Sequence, residues 1–191
     1  MSVVYSFDKD EYFYTKSQYF AIEAAKLYNG KVCLWIDSMK HSSNFNMIKI
    51  LCHAYAKITD DLYVDAYGTF TNIEQRASMF KYGQKEVIEC TVDEAKGILK
   101  EMNVPFTKTE DKRNAREYLR NNVLVFDIIF NNEKYTVGLY NHIDAEVHII
   151  SYNSTKNIFG KFISRVNANQ FVKGITKAYG FKENKGWYRN T

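Results

Sequence analysis

Residues 53–68, with the sequence HAYAKITDDLYVDAYG, decide the fold of the first half of the chain. The runs 53–58 and 62–67 are short and rich in Tyr, Val, Ile and Ala, which is typical of β-strands. The Thr-Asp-Asp between them is turn chemistry. We therefore predict a β-hairpin over this segment.

The length of the hairpin loop decides whether His53 and Asp65 can meet. If residues 59–61 form a three-residue loop, Ile58 opposes Leu62, and His53 and Asp65 then lie on one face of the sheet. A two-residue loop would shift the register by one and place the two side chains on opposite faces. The sequence leaves both loop lengths open.

The segments before the hairpin alternate in type. Residues 15–29 have apolar side chains at helical spacing and stop at Asn29-Gly30, a pair that ends helices. Residues 31–37 (KVCLWID) form an apolar run that is short enough for a strand, and the polar residues 38–46 predict a loop. The chain should therefore enter the hairpin from a helix and one further strand.

Two helices are predicted after the hairpin. The first spans 72–82, with Asn72 as its N-cap. The second spans 91–102 and opens with Thr91 and Glu94 at the spacing of a capping box. Together with the hairpin, these elements predict an α+β first half that ends at about residue 104.

The second half begins after a polar stretch at residues 105–113, which we interpret as a linker or a long surface loop. We predict two domains, 1–104 and 113–191, the second being a small β-hairpin-plus-helix unit with a basic end. Its predicted elements are helices over 113–120 and 167–179 and strands over 123–130, 134–140 and 146–152.

Composition excludes several classes of protein. With 191 residues, 46% of them hydrophobic, the chain can build a substantial core. It has no signal-peptide pattern and no apolar run of the ~20 residues that cross a bilayer, so we expect a cytoplasmic protein without membrane contact. A single proline beside abundant Asn, Lys, Tyr and Ile is typical of AT-rich genomes, including those of bacteriophages, which would make the compartment the host cytoplasm.

The C-terminal end is strongly basic. Residues 151–191 carry +7, and because the whole chain carries +4, residues 1–150 carry −3. Aromatic residues interleave with these charges, which suits single-stranded nucleic acid or an acidic protein partner; solvated lysines on a helix face are the simpler interpretation. The candidate partner-binding residues are Lys156, Lys161, Arg165, Lys173, Lys177, Lys182, Lys185 and Arg189.

No cofactor is predicted. The sequence has no glycine-rich phosphate loop, which leaves nucleotide-dependent chemistry without support. His142 and His148 share a strand face if the strand is continuous, but no third ligand is fixed by spacing, so we predict no metal site.

Three residues could carry acyl-transfer chemistry, which needs a nucleophile, a base and a group that orients the base. Ser17 lies in the first turn of the first predicted helix, where free backbone N–H groups and the helix dipole favour developing negative charge. His53 and Asp65 lie on the two strands of the hairpin. The neighbouring Cys52 should point to the opposite face from His53, which favours a packed thiol over a nucleophile.

The motifs SQYFA at 17–21, HAYA at 53–56 and YVDAYG at 63–68 together resemble papain-like and transglutaminase-like proteins. There a helix opens with Cys-x-x-Phe/Tyr-Ala, a later strand begins with His-Ala, and the next strand carries Asp. The resemblance covers about residues 12–90. It implies that Ser17 occupies the position of the nucleophile, that His53 is the base and that Asp65 orients it.

The serine at the position of the cysteine leaves three interpretations: a working Ser-His-Asp hydrolase or acyltransferase, an inactive relative that binds a partner, or a fortuitous match. A serine hydroxyl must lose its proton during attack, whereas a cysteine beside imidazole is readily a thiolate. Our leading prediction is a degenerate acyl-transfer scaffold that acts by binding. The alternative is a phage-encoded interaction protein that binds a host protein or nucleic acid through its basic C-terminal half.

Overall fold

The structure is a computed structural model that describes residues 6–40, 47–60, 62–70, 73–80, 85–130, 133–139, 146–151, 156–161 and 181–189. In these ranges, helices pack on a five-stranded antiparallel sheet, and a second five-stranded antiparallel sheet follows. The protein is therefore of the α+β class.

The helices are α1 (Lys9–Tyr14), α2 (Ser17–Leu27), α3 (Ile73–Ala77), α4 (Val92–Glu101) and α5 (Thr109–Asn121). The strands are β1 (Lys31–Lys40), β2 (Met47–Thr59), β3 (Leu62–Asp65), β4 (Gly68–Phe70), β5 (Lys85–Cys90), β6 (Asn122–Phe130), β7 (Glu133–Leu139), β8 (Glu146–Ser151), β9 (Lys156–Lys161) and β10 (Phe181–Arg189). The first sheet has the order β4-β3-β2-β1-β5 and the second the order β10-β6-β7-β8-β9.

The first predicted helix is confirmed as α2, and it is the central helix of the N-terminal half. Its residues from Ser17 to Ala25 are buried on every side, which explains why apolar residues extend beyond one face. The helix ends where Asn29 adopts a left-handed φ of 51°. Gly30 follows, and a Cβ there would clash with the carbonyl oxygen of Lys57 on β2, so only glycine allows the chain to turn into β1 at this point.

The hairpin of β2 and β3 is confirmed, but its loop is not the one that would bring Ile58 opposite Leu62. Thr59 pairs with Leu62, which leaves a two-residue loop, and the register then shifts at a bulge that contains Ile58. The bulge cancels the effect of the shorter loop, so that Ala56 opposes Val64 as a three-residue loop would require. The shorter loop and the bulge each shift the register by one residue, and together they leave His53 and Asp65 on the same face of the sheet.

The strands are bounded differently from the prediction. β1 continues to Lys40, so the predicted loop 38–46 is wrong for its first three residues, and residues 41–46 lie outside the described ranges. β3 ends at Asp65 rather than at Tyr67, because the chain turns immediately into β4. Gly68 begins that strand with a φ of 117°, which glycine adopts without strain.

The two helices after the hairpin differ in how well they were predicted. α4 is confirmed with its capping box, in which the Thr91 hydroxyl accepts from the Glu94 N–H and the Glu94 carboxylate accepts from the Thr91 N–H. α3 is shorter than the predicted 72–82, and none of its residues is buried. Its predicted cap, Asn72, lies outside the described ranges.

The predicted linker at 105–113 is wrong over its second half, because α5 begins at Thr109. The helix predicted over 113–120 is confirmed as the later part of α5. One narrow stripe of this very polar helix is buried, formed by Asp111, Asn114, Ala115, Tyr118 and Leu119. The stripe packs on α2. Lys16 bridges the Asp111 and Glu11 carboxylates, and the Tyr12 hydroxyl donates to the Asp111 carbonyl at 3.0 Å. The division into domains 1–104 and 113–191 stays a prediction.

The C-terminal half contains a larger sheet than the predicted hairpin. The β6–β7 hairpin and strand β8 are confirmed, whereas β9 and β10 were not predicted. β10 pairs with β6 across more than fifty intervening positions, with Trp187 opposite Leu124. A pairing between segments so far apart in the chain leaves no local signal. The helix predicted over 167–179 lies outside the described residues.

Two buried clusters lie on opposite faces of the first sheet. The larger one faces the helices and contains Leu34, Ala54 and Val64 together with most of α2. The smaller one is aromatic and contains Trp35, Tyr55, Tyr63 and Phe70. The predicted site residue His53 contacts both clusters, through Phe13 of the larger one and Trp35 of the smaller one.

Candidate functional site

Ser17 lies at the start of α2, as predicted, with its side chain almost wholly buried. Its Oγ accepts a hydrogen bond of 3.0 Å from the backbone N–H of Ala54 on β2. β3 ends before it reaches this part of β2, so the Ser17 hydroxyl takes the N–H that a paired strand would otherwise have taken. The hydroxyl thus joins the helix to the edge of the sheet.

His53 is fully buried, and both of its ring nitrogens have partners. Nδ1 lies 3.0 Å from the carbonyl oxygen of Phe13, and Nε2 lies 3.2 Å from Oδ2 of Asp65. A carbonyl and a carboxylate can only accept hydrogen bonds, so the ring satisfies both when each nitrogen carries a proton. The predicted contact between His53 and Asp65 is therefore present.

Asp65 is almost fully buried and contacts two basic side chains. Besides His53, Arg76 on α3 lies 3.0 Å away, measured from Nε to Oδ2, as an ion pair whose N–H does not point at the oxygen. The other carboxylate oxygen, Oδ1, accepts from the backbone N–H of Tyr67 at 2.9 Å. This last bond holds the turn between β3 and β4.

Aromatic rings enclose the ion pairs. The rings of His53, Phe13 and Phe80 contact one another, and the His53 centroid lies 4.6 Å from that of Phe13 and 4.8 Å from that of Phe80. The Arg76 guanidinium lies over the Phe70 ring at 4.6 Å. Such surroundings exclude water and strengthen every electrostatic contact within them, favourable or not.

A hydrogen bond joins two of the three predicted site residues, His53 and Asp65. In the described part of the chain, the side-chain hydrogen bond of Ser17 goes to Ala54, and the His53 ring bonds only to Phe13 and Asp65. A hydrogen bond from Ser17 to His53 is therefore not formed among these residues. The catalytic assignment of Ser17, His53 and Asp65 stays a prediction.

Arg76 is the residue of this site that the sequence did not nominate. It lies in a five-residue helix, and neither its spacing nor its neighbours mark it as a partner of Asp65. The only sequence signal is its place in a predicted helix after the hairpin. Its role depends entirely on how α3 folds back over β3 and β4.

Two of the three cysteines are buried, and the third lies beside His53. Burial raises the pKa of the Cys33 thiol to about 12 and that of Cys90 to about 11, which suppresses the reactive thiolate. Cys52 was expected to point away from His53. It is instead the extra residue of a bulge opposite Trp35 and Ile36, and it packs against the same aromatic cluster that His53 touches. The expectation of opposite faces is wrong, because bulges interrupt strict alternation.

The basic C-terminal residues are placed only in part. Lys156 and Lys161 bound β9, and Lys182, Lys185 and Arg189 belong to β10, whereas Arg165, Lys173 and Lys177 lie outside the described ranges. Binding of nucleic acid or a protein partner through these residues stays a prediction.

Neither a metal site nor a membrane span emerges from the described ranges. No group of three His, Cys, Asp or Glu side chains there could hold a metal ion. Of the two histidines weighed as ligands, His142 lies outside these ranges and His148 belongs to β8. Every helix within them is too short or too polar to cross a membrane.

Compared with models of known families, with characterised proteins and with solved structures, the chain has no significant match.

Proposed function

We propose that this protein is a degenerate acyl-transfer scaffold, related in arrangement to papain-like and transglutaminase-like proteins, that acts by binding a partner rather than by catalysis. The arrangement is supported by a serine at the start of a buried helix, beside a strand that carries a histidine paired with an aspartate. The loss of catalysis is supported by the hydrogen-bond partners of these three side chains.

The hydrogen-bond partners of the two His53 ring nitrogens are the observation that carries the proposal. A general base needs a ring lone pair within hydrogen-bond reach of the proton that it removes. The Phe13 carbonyl and the Asp65 carboxylate occupy both nitrogens of His53, so no lone pair faces the Ser17 hydroxyl. A serine without such a base remains a weak nucleophile.

The second support is the neutralisation of Asp65. In a catalytic triad the aspartate stabilises the imidazolium that forms during the reaction. Here Arg76 already lies against the same oxygen, Oδ2, that contacts His53. The two basic side chains share one carboxylate in a site that is closed by aromatic rings, which is the arrangement of a structural polar network.

Labelling with a fluorophosphonate, a serine-reactive probe, tests the proposal. Wild type, Ser17→Ala and His53→Gln should show the same background labelling, because Ser17 has no base to activate it. Mass spectrometry of the modified peptide identifies the labelled residue. Stoichiometric labelling of Ser17 in the wild type, lost in both variants, would mean that the protein is a working hydrolase.

A cysteine variant gives an independent measure. In Ser17→Cys the new thiol should react with iodoacetamide no faster than an ordinary exposed thiol at neutral pH, because the His53 ring cannot take its proton. Cys52 is present in both proteins and serves as the internal reference. A thiol at position 17 that reacts many times faster and loses that reactivity in His53→Gln would contradict the proposal.

A further inference from the structure

The first half of β2 extends beyond the strand that pairs with it. β3 pairs with β2 only from Ala56 to Thr59, whereas β2 begins at Met47 and pairs with β1 on its other side along this length. Residues 47–51, here called the β2 overhang, therefore have no strand on their outer edge among the described strands. With respect to the described residues, their outward backbone N–H and C=O groups can pair with another extended chain.

Four of the five residues of the overhang are apolar, and Lys49 is the exception. Met47, Ile48 and Ile50 are all exposed, with Ile50 at 41%, although they lie on both faces of the strand. Natural sheets protect their free edges with charges, prolines or short strands. An exposed apolar edge of this kind indicates a surface that another molecule covers.

Two cavities border the overhang. One, of about 270 Å³, lies between Lys49, Ile50 and Leu51 of β2 and the start of α2, where Ser17 and Gln18 form part of its wall. The other, of about 480 Å³, is lined mainly by apolar side chains, including Ile88 and Ile98. The cavities share Lys49 and Met102 in their walls, so they adjoin each other beside the overhang and leave room there for side chains of a bound segment.

Charge restricts what can pair with the overhang. Lys49, at its centre, forms no ion pair with the described residues and is exposed. Two copies of this chain that paired antiparallel about this position would place Lys49 opposite Lys49, which is destabilising. A strand with an acidic residue opposite Lys49 and apolar residues opposite Ile48 and Ile50 would satisfy every position.

We propose that the β2 overhang is a docking edge for an extended peptide segment of a partner protein, with an acidic residue between two apolar ones. The segment adds a strand beside β2 in line with β3, so that main-chain hydrogen bonds supply affinity and the side chains opposite residues 48–50 supply specificity. This inference rests on the proposed binding function, but it does not depend on whether Ser17 is a nucleophile.

The test starts from a displayed library of random peptides of about nine residues, enough for one strand, selected on the immobilised full chain. We expect enrichment of sequences in which an acidic residue stands between two apolar residues. Selection on Lys49→Glu should move the preference to a basic central residue. No enrichment above uncoated support, or the same sequences enriched on Lys49→Glu, would overturn the proposal.

Fluorescence anisotropy with an enriched peptide measures the edge directly. Ile50→Lys should weaken binding at least about tenfold, and the control Val87→Lys should change it by less than about twofold. Val87 is 44% exposed and lies on β5, the opposite edge of the same sheet, so it matches Ile50 in exposure. Equal effects of the two substitutions would place the peptide elsewhere and overturn the proposal.

Backbone methylation of the peptide separates strand addition from other modes of binding. N-methylation at alternate residues that donate to β2 should abolish binding, whereas methylation at the intervening residues should leave it within about threefold. Insensitivity to both patterns would contradict an added strand. Stoichiometric fluorophosphonate labelling of Ser17 would contradict the non-catalytic proposal but would not change the peptide-binding results. Failure of the proposed function is therefore distinguishable from failure of the docking edge.

Discussion

Two buried carboxylates, Asp65 and Asp111, hold the N-terminal half together in contrasting ways. Each contacts two basic side chains. The partners of Asp65 are enclosed, since His53 is fully buried and Arg76 is 12% exposed. A partner of Asp111, Lys108, is 60% exposed, so one of its cations stays largely in water.

The contrast shows that the burial of an acid does not by itself decide what the acid does. A carboxylate whose partners reach solvent can lose one of them at little cost, because the released ammonium is rehydrated. A carboxylate whose partners are also enclosed cannot, because its removal leaves charges without water or a counter-ion. We therefore expect Asp65 to dominate the stability of the site.

Replacement of Asp65 should have the largest effect. Asp65→Asn leaves His53 and Arg76 without their shared anion, so we expect a loss of about 3–5 kcal/mol in the free energy of unfolding. Urea unfolding followed by tryptophan fluorescence measures it, because Trp35 lies in the adjacent aromatic cluster. Asp60→Asn is the control, since that side chain is 99% exposed. A loss below about 1 kcal/mol would remove the distinction between the two carboxylates.

Replacement of Asp111 should cost less. Asp111→Asn weakens the ion pair with Lys16, but the hydrogen bond from the Tyr12 hydroxyl goes to the Asp111 carbonyl and survives. We expect a loss of about 1–2 kcal/mol, measured in the same urea titration. A cost equal to that of Asp65→Asn would show that exposure of the partners does not matter.

The pH dependence of stability should separate Tyr12 from the ordinary tyrosines. Burial, and then the charge of Asp111, raise the pKa of Tyr12 to about 12. A raised folded-state pKa stabilises the fold fully below the unfolded pKa of 10.0, and this contribution is lost as the pH rises toward about 12. In Tyr12→Phe, stability should therefore decline less steeply above pH 10 than in the wild type. Thermal unfolding at several alkaline pH values measures this decline. An unchanged slope would contradict this assignment.

The smallest effect is expected on the surface. Glu89 contacts Lys57 and Lys31 on the exposed side of the first sheet. Hydrogen bonds from these lysines lower the pKa of Glu89, so its contribution is present above the unfolded value of 4.5 and is lost as the pH falls below it. Glu89→Gln should cost less than about 1 kcal/mol and less still in high salt. A larger, salt-independent cost would make this network comparable with that of Asp111.

Much of the N-terminal half could be predicted because its signals are local. The end of α2 at Asn29 and Gly30, and the capping box of Thr91 and Glu94, involve residues close together in the chain. The pairing of His53 with Asp65 was predicted from the alternation of side chains along strands, and it holds even though the loop has two residues rather than three. The sequence left both loop lengths open, and the bulge at Ile58, which no sequence pattern marked, restores the register that a three-residue loop would have given.

Other elements were missed or misplaced for identifiable reasons. α5 was predicted only from residue 113, because the polar composition of its first turn suggested a linker up to that point. β10 pairs with a distant strand, and Cys52 lies in a bulge that breaks the alternation on which its placement was based. In each case the observed structure depends on packing against residues that are distant in the sequence.

The sequence by itself determined which segments are helices and strands in most of the N-terminal half and that Ser17, His53 and Asp65 belong to neighbouring elements. It did so because capping, turn chemistry and side-chain alternation act over a few residues. Only the tertiary structure decided what those three side chains do. The Ser17 hydroxyl binds the Ala54 N–H and Arg76 joins Asp65 because hydrogen-bond partners are set within fractions of an ångström by bulges, sheet edges and the packing of distant helices.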